Sequence, residues 1–172
     1  VIGAMDGTDK GILPFLPYIL QDFWEIGASP GDMISLVRKH KDGFNGLKVL
    51  DLGCGKGAVS VNMAHQRGCR GLGIDAIAEF IAEAESKTTE YGVEELCEFR
   101  VGDIRLEVEH LRDYDVIILG AIGRVFGDWY KTLTSVSQCL APDGLVLVDD
   151  GYYPDGAEGT GGDLPTRSTL LK

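Results

Sequence analysis

The stretch Leu47-Lys48-Val49-Leu50-Asp51-Leu52-Gly53-Cys54-Gly55-Lys56-Gly57 decides how the rest of the chain is read. Val49, Leu50 and Leu52 predict a strand buried on both faces, the habit of a parallel sheet. Asp51 interrupts the apolar run, and alternating glycines follow at once. Ala58 to Arg67 then predicts a helix that Gly68 stops. In an open α/β sheet such a turn presents backbone N–H groups at a helix N-terminus, where a small ligand with polar or anionic groups can bind.

Strand and helix alternate downstream. Arg70 to Asp75 predicts a second strand ending in an acid, and Ala76 to Tyr91 a helix with Ile77, Phe80, Ile81, Ala84 and Tyr91 on one face. A third strand is expected over Glu95 to Val101, running into Gly102, Asp103 and Ile104; Ile104 to Arg112 reads equally as a short helix or a loop. Asp115 to Leu119 predicts a fourth strand, Asp128 to Leu140 a helix stopped by Pro142, and Leu145 to Asp149 a fifth strand. This alternation predicts a doubly wound parallel sheet in three αβα layers.

Upstream, Ile12, Phe15, Leu16, Ile19, Leu20, Phe23 and Trp24 recur at helical spacing, so a helix is expected from about Pro14 or Pro17 to the vicinity of Gly27. Ser29 and Pro30 read as an N-cap and first turn for a second helix, with Met33, Leu36 and Val37 as its apolar stripe. Residues 1–46 are thus expected to form a helical lid and residues 47–172 the core of a single domain. Beyond the fifth strand, Gly151 to Asp163 reads as a glycine-rich acidic loop, and Pro165, Thr166 and Arg167, with Leu170 and Leu171, as the start of another helix.

The whole chain narrows the function. Its 172 residues suffice for one compact domain, and 44% apolar with 25% charged residues is ordinary globular composition. Twenty-seven acids against sixteen bases give a net charge of -11, which repels polyanions and argues against a nucleic-acid substrate. Cys54, Cys69, Cys97 and Cys139 form no CxxC pair, and no histidine stands at metal-ligand spacing; reduced thiols in a cytoplasmic protein are expected. No apolar run approaches membrane-spanning length, and Ile12 to Leu20, broken by Pro14 and Pro17, makes a poor signal peptide.

Two glycine patterns overlap at the turn. Gly53, Gly55 and Ala58 satisfy GxGxxG/A, the dinucleotide fingerprint, which leaves an NAD(P)-dependent oxidoreductase open. Asp51 followed by Gly53, Gly55 and Gly57 satisfies another. With this acid and these glycines, Asp75 at the second strand end, Asp103 with Ile104 after the third, and the Leu140-Ala141-Pro142-Asp143-Gly144 turn, the chain resembles the class I S-adenosylmethionine (SAM) dependent methyltransferases over roughly Leu47 to Asp150.

The resemblance implies a Rossmann-like core that binds S-adenosyl-L-methionine and releases S-adenosylhomocysteine. It implies cofactor contacts from Asp51, Gly53, Cys54, Gly55, Gly57, Asp75, Ala76, Asp103, Ile104 and Leu119, with Asp75 on the ribose hydroxyls and Asp103 on the adenine amine. The reaction implied is in-line methyl transfer, in which alignment and desolvation matter more than a catalytic triad. The family has seven strands, so strands six and seven are expected to be missing and the chain to be a fragment or incompletely observed.

Each residue also has a plainer reading. The glycines can serve only a tight turn, Asp75 can cap the next helix, and Asp103 can belong to a Gly-Asp turn. No catalytic residue is assigned. His40, His65 and His110 read as surface residues. Asp149, Asp150, Tyr152 and Tyr153 either face the acceptor or end a strand, and Tyr18, Phe23 and Trp24 form either an aromatic lid or a core stripe. After the fourth strand, Leu119-Gly120-Ala121-Ile122 is neither the Asp/Asn-Pro-Pro-Tyr/Phe motif of amino-directed nucleic-acid methylases nor the strand-end Asp of metal-dependent catechol-type enzymes. A small-molecule acceptor without a metal is therefore expected, with a non-catalytic SAM-binding module as the further alternative.

Overall fold

A computed structural model describes residues 10–152 and residue 155. Its centre is strand β1, Lys48–Leu52, whose last four residues are all buried. On one side β1 pairs in parallel with β2, Arg70–Asp75, and on the other with β4, Tyr114–Gly120. Strands β3, Cys97–Val101, and β5, Leu140–Asp149, complete the order β3-β2-β1-β4-β5, every pairing parallel. The order reverses direction between β1 and β4, and in such sheets the crevice at that switch point, beyond the carboxyl ends of the strands, is where ligands bind.

Alternation along the strands sends side chains to two cores. Val49, Val116, Ile118 and Leu147 pack with Met33, Ile34 and Val37 of helix α2, Pro30–His40, and with Val59 and Met63 of α3, Ala58–Arg67. Leu50, Leu52, Ile117 and Leu119 point the other way, toward Ile104 of the single turn α5, Ile104–Glu107, and Val136 of α6, Trp129–Ser137. A third cluster joins α3 to α4, Ala78–Tyr91, through Val61, Ala64, Ile81, Ala84 and Phe99. The expected doubly wound, three-layer sheet is present.

Several local expectations differ from what forms. No long helix covers residues 14–26. A 3-10 turn, Lys10–Phe15, leads into one turn of α-helix, α1, Leu16–Ile19, because Pro14 and Pro17 lack the N–H that a continuous helix needs and crowd the turn before them. The apolar stripe read there as helical is mostly in solvent; only Leu16 is fully buried. In α2 the buried partner is Ile34, whereas Leu36 is 39% exposed, although Ser29 does cap the helix, accepting from Asp32 N. This helix belongs to the sheet's core, so among the described residues before β1 the strap of residues 11–26 is what lies over the strand ends.

Helix α4 begins at Ala78 rather than Ala76, since Asp75 Oδ1 accepts from Ile77 N and holds residue 77 extended. Strand β3 begins at Cys97 rather than Glu95. The helix expected to run to Leu140 ends at Ser137; Leu140 already pairs with Tyr114, and the next paired residues are Val116 and Leu145, so Pro142 sits in an irregular excursion of β5 and not behind a helix. The helix start expected at Pro165 to Leu171, most of the Gly151 to Asp163 loop, and Tyr153 lie outside the described residues.

Candidate active site

At the carboxyl ends of the strands the glycine turn, the ends of β2, β3 and β4, and the N-terminal strap enclose a cavity of about 900 Å³. Asp51 stands on the α3 side of β1, 3% exposed, and Ser60 Oγ donates to its Oδ2 at 2.8 Å. Burial pushes its carboxyl up to about 6; the Ser60 bond opposes this and nearby Asp75 adds to it. Asp75 is also buried. Its Oδ2 accepts from Gly55 N at 3.0 Å and its Oδ1 from Ile77 N at 2.9 Å. Burial raises its pKa against these two backbone bonds.

Asp103 caps α5 by accepting from Arg105 N, and its carboxylate is gripped by the Arg105 guanidinium, Nε to Oδ1 at 2.9 Å and Nη2 to Oδ2 at 2.5 Å. The Arg105 bonds hold this carboxyl below its usual range. Beside it Ile104 is buried and contributes an apolar wall. Cys54 lines the cavity, and burial, with Asp51 and Asp75 near, pushes its thiol well above the ordinary value, so it is a neutral packing group there.

Of the residues singled out in the sequence, Asp51, Gly53, Cys54, Gly55, Asp75, Ala76, Asp103 and Ile104 all line this one cavity. Two do not. Leu119 is 1% exposed and packs into the core on the α5 and α6 side; Ile118 and Gly120, its neighbours, reach the cavity because side chains alternate along a strand. Gly57 lies behind the wall, at the N-cap of α3. Among the aromatic lid candidates, Trp24 lines the cavity while Tyr18 and Phe23 are exposed. His40, His65 and His110 are on the surface, as expected, with His65 Nδ1 3.0 Å from Tyr91 O.

Sequence reasoning missed Lys56. It is 1% exposed, buried by the strap, and its only signal was its place between Gly55 and Gly57, where a side chain leaves a crowded turn. It also missed Ser60 and Arg105, which no motif marks.

Residues 44–167 match the family described as a methyltransferase domain. The chain belongs to that family. An uncharacterized protein of Escherichia coli (strain K12), YjhP, is 30% identical to this methyltransferase domain over 108 residues, 63% of this chain and 43% of that protein. The X-ray structure of YjhP has a TM-score of 0.75 and 25% identity, covering 92% of this chain and 69% of that one. A ubiquinone biosynthesis O-methyltransferase of Leptothrix cholodnii is 33% identical over 105 residues, 61% of this chain and 44% of that protein. A SAM-dependent methyltransferase of Thiobacillus denitrificans, crystallised with S-adenosyl-L-homocysteine, has a TM-score of 0.67 and 27% identity, covering 79% of this chain and 55% of that one. The methyltransferase domain spans about half the length of the curated relatives it matches.

Proposed function

We propose that this methyltransferase domain binds S-adenosyl-L-methionine in the strand-end cavity and transfers its methyl group to a small-molecule acceptor. The observation that carries the reading is the convergence of Asp51, Asp75 and Asp103, from the ends of three adjacent strands, on one cavity beside the glycine turn. Such an acid-rich end suits a ligand that carries cationic and hydroxyl groups. The residues fit the cofactor on this ground: Asp75 keeps acceptor capacity on both oxygens for ribose hydroxyls, and Asp51, ionised above about pH 6, complements a cation. Gly53, Gly55 and Ala76 leave room, and Ile104 offers an apolar face to a ring.

When bound, S-adenosyl-L-methionine would supply a sulfonium methyl group that an acceptor nucleophile takes as the carbon–sulfur bond breaks, with S-adenosylhomocysteine as the leaving group. The chain's part is to orient and to exclude water. Leu13, Pro17, Leu20 and Ile26 from the strap, with Ile122 and Val125 after β4, give the cavity an apolar wall, which supports an apolar or aromatic acceptor. Relatives named as ubiquinone biosynthesis O-methyltransferases point the same way. The net charge of -11 supports a small acceptor over a nucleic acid, and four free thiols suit a reducing cytoplasm.

One observation favours a second reading, a non-catalytic SAM-binding module: among the described residues that line the cavity none is a histidine, lysine or tyrosine. Incubation with methyl-labelled SAM and a panel of phenols and quinols separates the two. Labelled product supports methyl transfer; saturable S-adenosylhomocysteine binding without label transfer supports the module; absence of binding overturns both.

A further inference from the structure

The buried ammonium of Lys56 has no place in the site as so far described. Lysine is seldom buried without partners, because removing its charge from water is expensive. Here the three donors of Nζ meet three acceptors: Leu20 O at 2.8 Å, Gln21 O at 3.4 Å and Glu83 Oε2 at 2.8 Å. Two belong to the strap and one to α4. A bond also runs the other way, since Trp24 Nε1 donates to Lys56 O at 2.9 Å. The Trp24 ring in turn packs 5.0 Å from Tyr91, under the Lys87 ammonium.

Phe15, Tyr18 and Phe23 are 61%, 73% and 60% exposed, so few of the strap's large apolar side chains anchor it. Yet Leu13, Pro17, Leu20 and Ile26 form one wall of the cavity. Leu16, which is fully buried, and Trp24, packed on the α3–α4 cluster, also hold the strap, but among the described residues its polar ties to the glycine turn run through Lys56, next to Gly55, whose N–H is bonded to Asp75.

We propose that Lys56 is a positioning residue that couples filling of the glycine turn to closure of the strap over the acceptor wall. This rests on the reading of the cavity as a cofactor site. Coupling is reciprocal: a ligand that orders the turn stabilises the strap, and an ordered strap strengthens binding at the turn by the same factor.

Amide hydrogen exchange of the full chain, with and without saturating S-adenosylhomocysteine, tests it. The reporters are the strap amides of Leu20, Gln21 and Phe23, which bond to Leu16 O, Tyr18 O and Leu20 O. In the wild-type protein the ligand slows their exchange about tenfold; in Lys56→Met it still binds, but slows them less than about twofold, while protection within β1 is unchanged. Equal slowing in the two proteins overturns the proposal, and so does unchanged strap exchange in ligand-free Lys56→Met. If Lys56→Met does not fold, Trp24→Phe, which removes the bond to Lys56 O together with part of the ring packed on Tyr91, is expected to cut the slowing to about threefold; full slowing there overturns the proposal. A wild-type protein that binds no S-adenosylhomocysteine overturns the proposed function itself, whereas faster ligand-free strap exchange in Lys56→Met still supports the tie.

Discussion

The backbone N–H of Gly55 donates to Asp75 Oδ2 at 3.0 Å, joining the turn after β1 to the end of the neighbouring strand β2. The other oxygen of the same carboxylate takes Ile77 N and delays the start of α4. One acid therefore sets the shape of the turn and the entry of the next helix. Asp75 is not the N-cap of α4, which is Ile77 with no side-chain cap bond; its carboxylate instead fixes the backbone just before the helix.

Asp51 gives the site a pH signature. Its carboxyl is raised from 3.8 to about 6 mainly by burial, so the folded protein holds this proton more tightly than the unfolded chain. The resulting stability is complete below about pH 4 and is lost as the pH rises through about 6, a change on the order of 3 kcal/mol. Asp51→Asn, which never ionises, is expected to be about 2–3 kcal/mol more stable than wild type near pH 7.5, the gap closing toward pH 4. Denaturant melts across this range check it; equal stabilities near pH 7.5 contradict it. The same variant is expected to bind S-adenosylhomocysteine about tenfold more weakly, because the ionised carboxylate is what meets a cation.

Gly57 separates packing from binding. At φ 74 an added Cβ would lie 2.7 Å from Phe99 Cζ and 2.8 Å from Ala84 Cβ, so strain and overpacking combine. Gly57→Ala is expected to cost about 2–4 kcal/mol. Gly46, at φ 79 with open space around it, supplies the control: Gly46→Ala should lose only about 1 kcal/mol. Equal losses in chemical denaturation would show that the contact with Phe99 and Ala84 is not tight.

Arg105 competes for Asp103. Because its guanidinium occupies both oxygens of that carboxylate, Arg105→Ala is expected to leave the unfolding midpoint unchanged and to tighten S-adenosylhomocysteine about threefold, whereas Asp103→Ala weakens it about tenfold. Calorimetric titration distinguishes these outcomes. Weaker binding by Arg105→Ala would mean that Arg105 itself holds the ligand.

The sheet was legible because its central strands are covered on both faces, so Val116 to Leu119 appears as an unbroken apolar run and Val49 to Leu52 as one broken only by Asp51. Asp75 and Asp103 were legible because each stands where a strand gives way to the next helix. The strap was misread because Ile12, Phe15, Ile19 and Phe23 keep helical spacing while Pro14 and Pro17 forbid the helix, and spacing alone says nothing about burial. Pro142 misled in the opposite sense, since a proline that can stop a helix can also sit where β5 leaves its ladder. Lys56 was invisible because its burial depends on Leu20, Gln21 and Glu83, distant in sequence and joined to it only by the fold.

Calorimetric titration of S-adenosylhomocysteine into the wild-type protein and Asp75→Ala tests the central claim most directly. The convergence of strand-end acids predicts saturable one-to-one binding by the wild type and a loss of about 30-fold or more in Asp75→Ala, which removes the ribose acceptor and the partner of Gly55 N together. No heat of binding by the wild type at micromolar protein, or undiminished binding by Asp75→Ala, would contradict it.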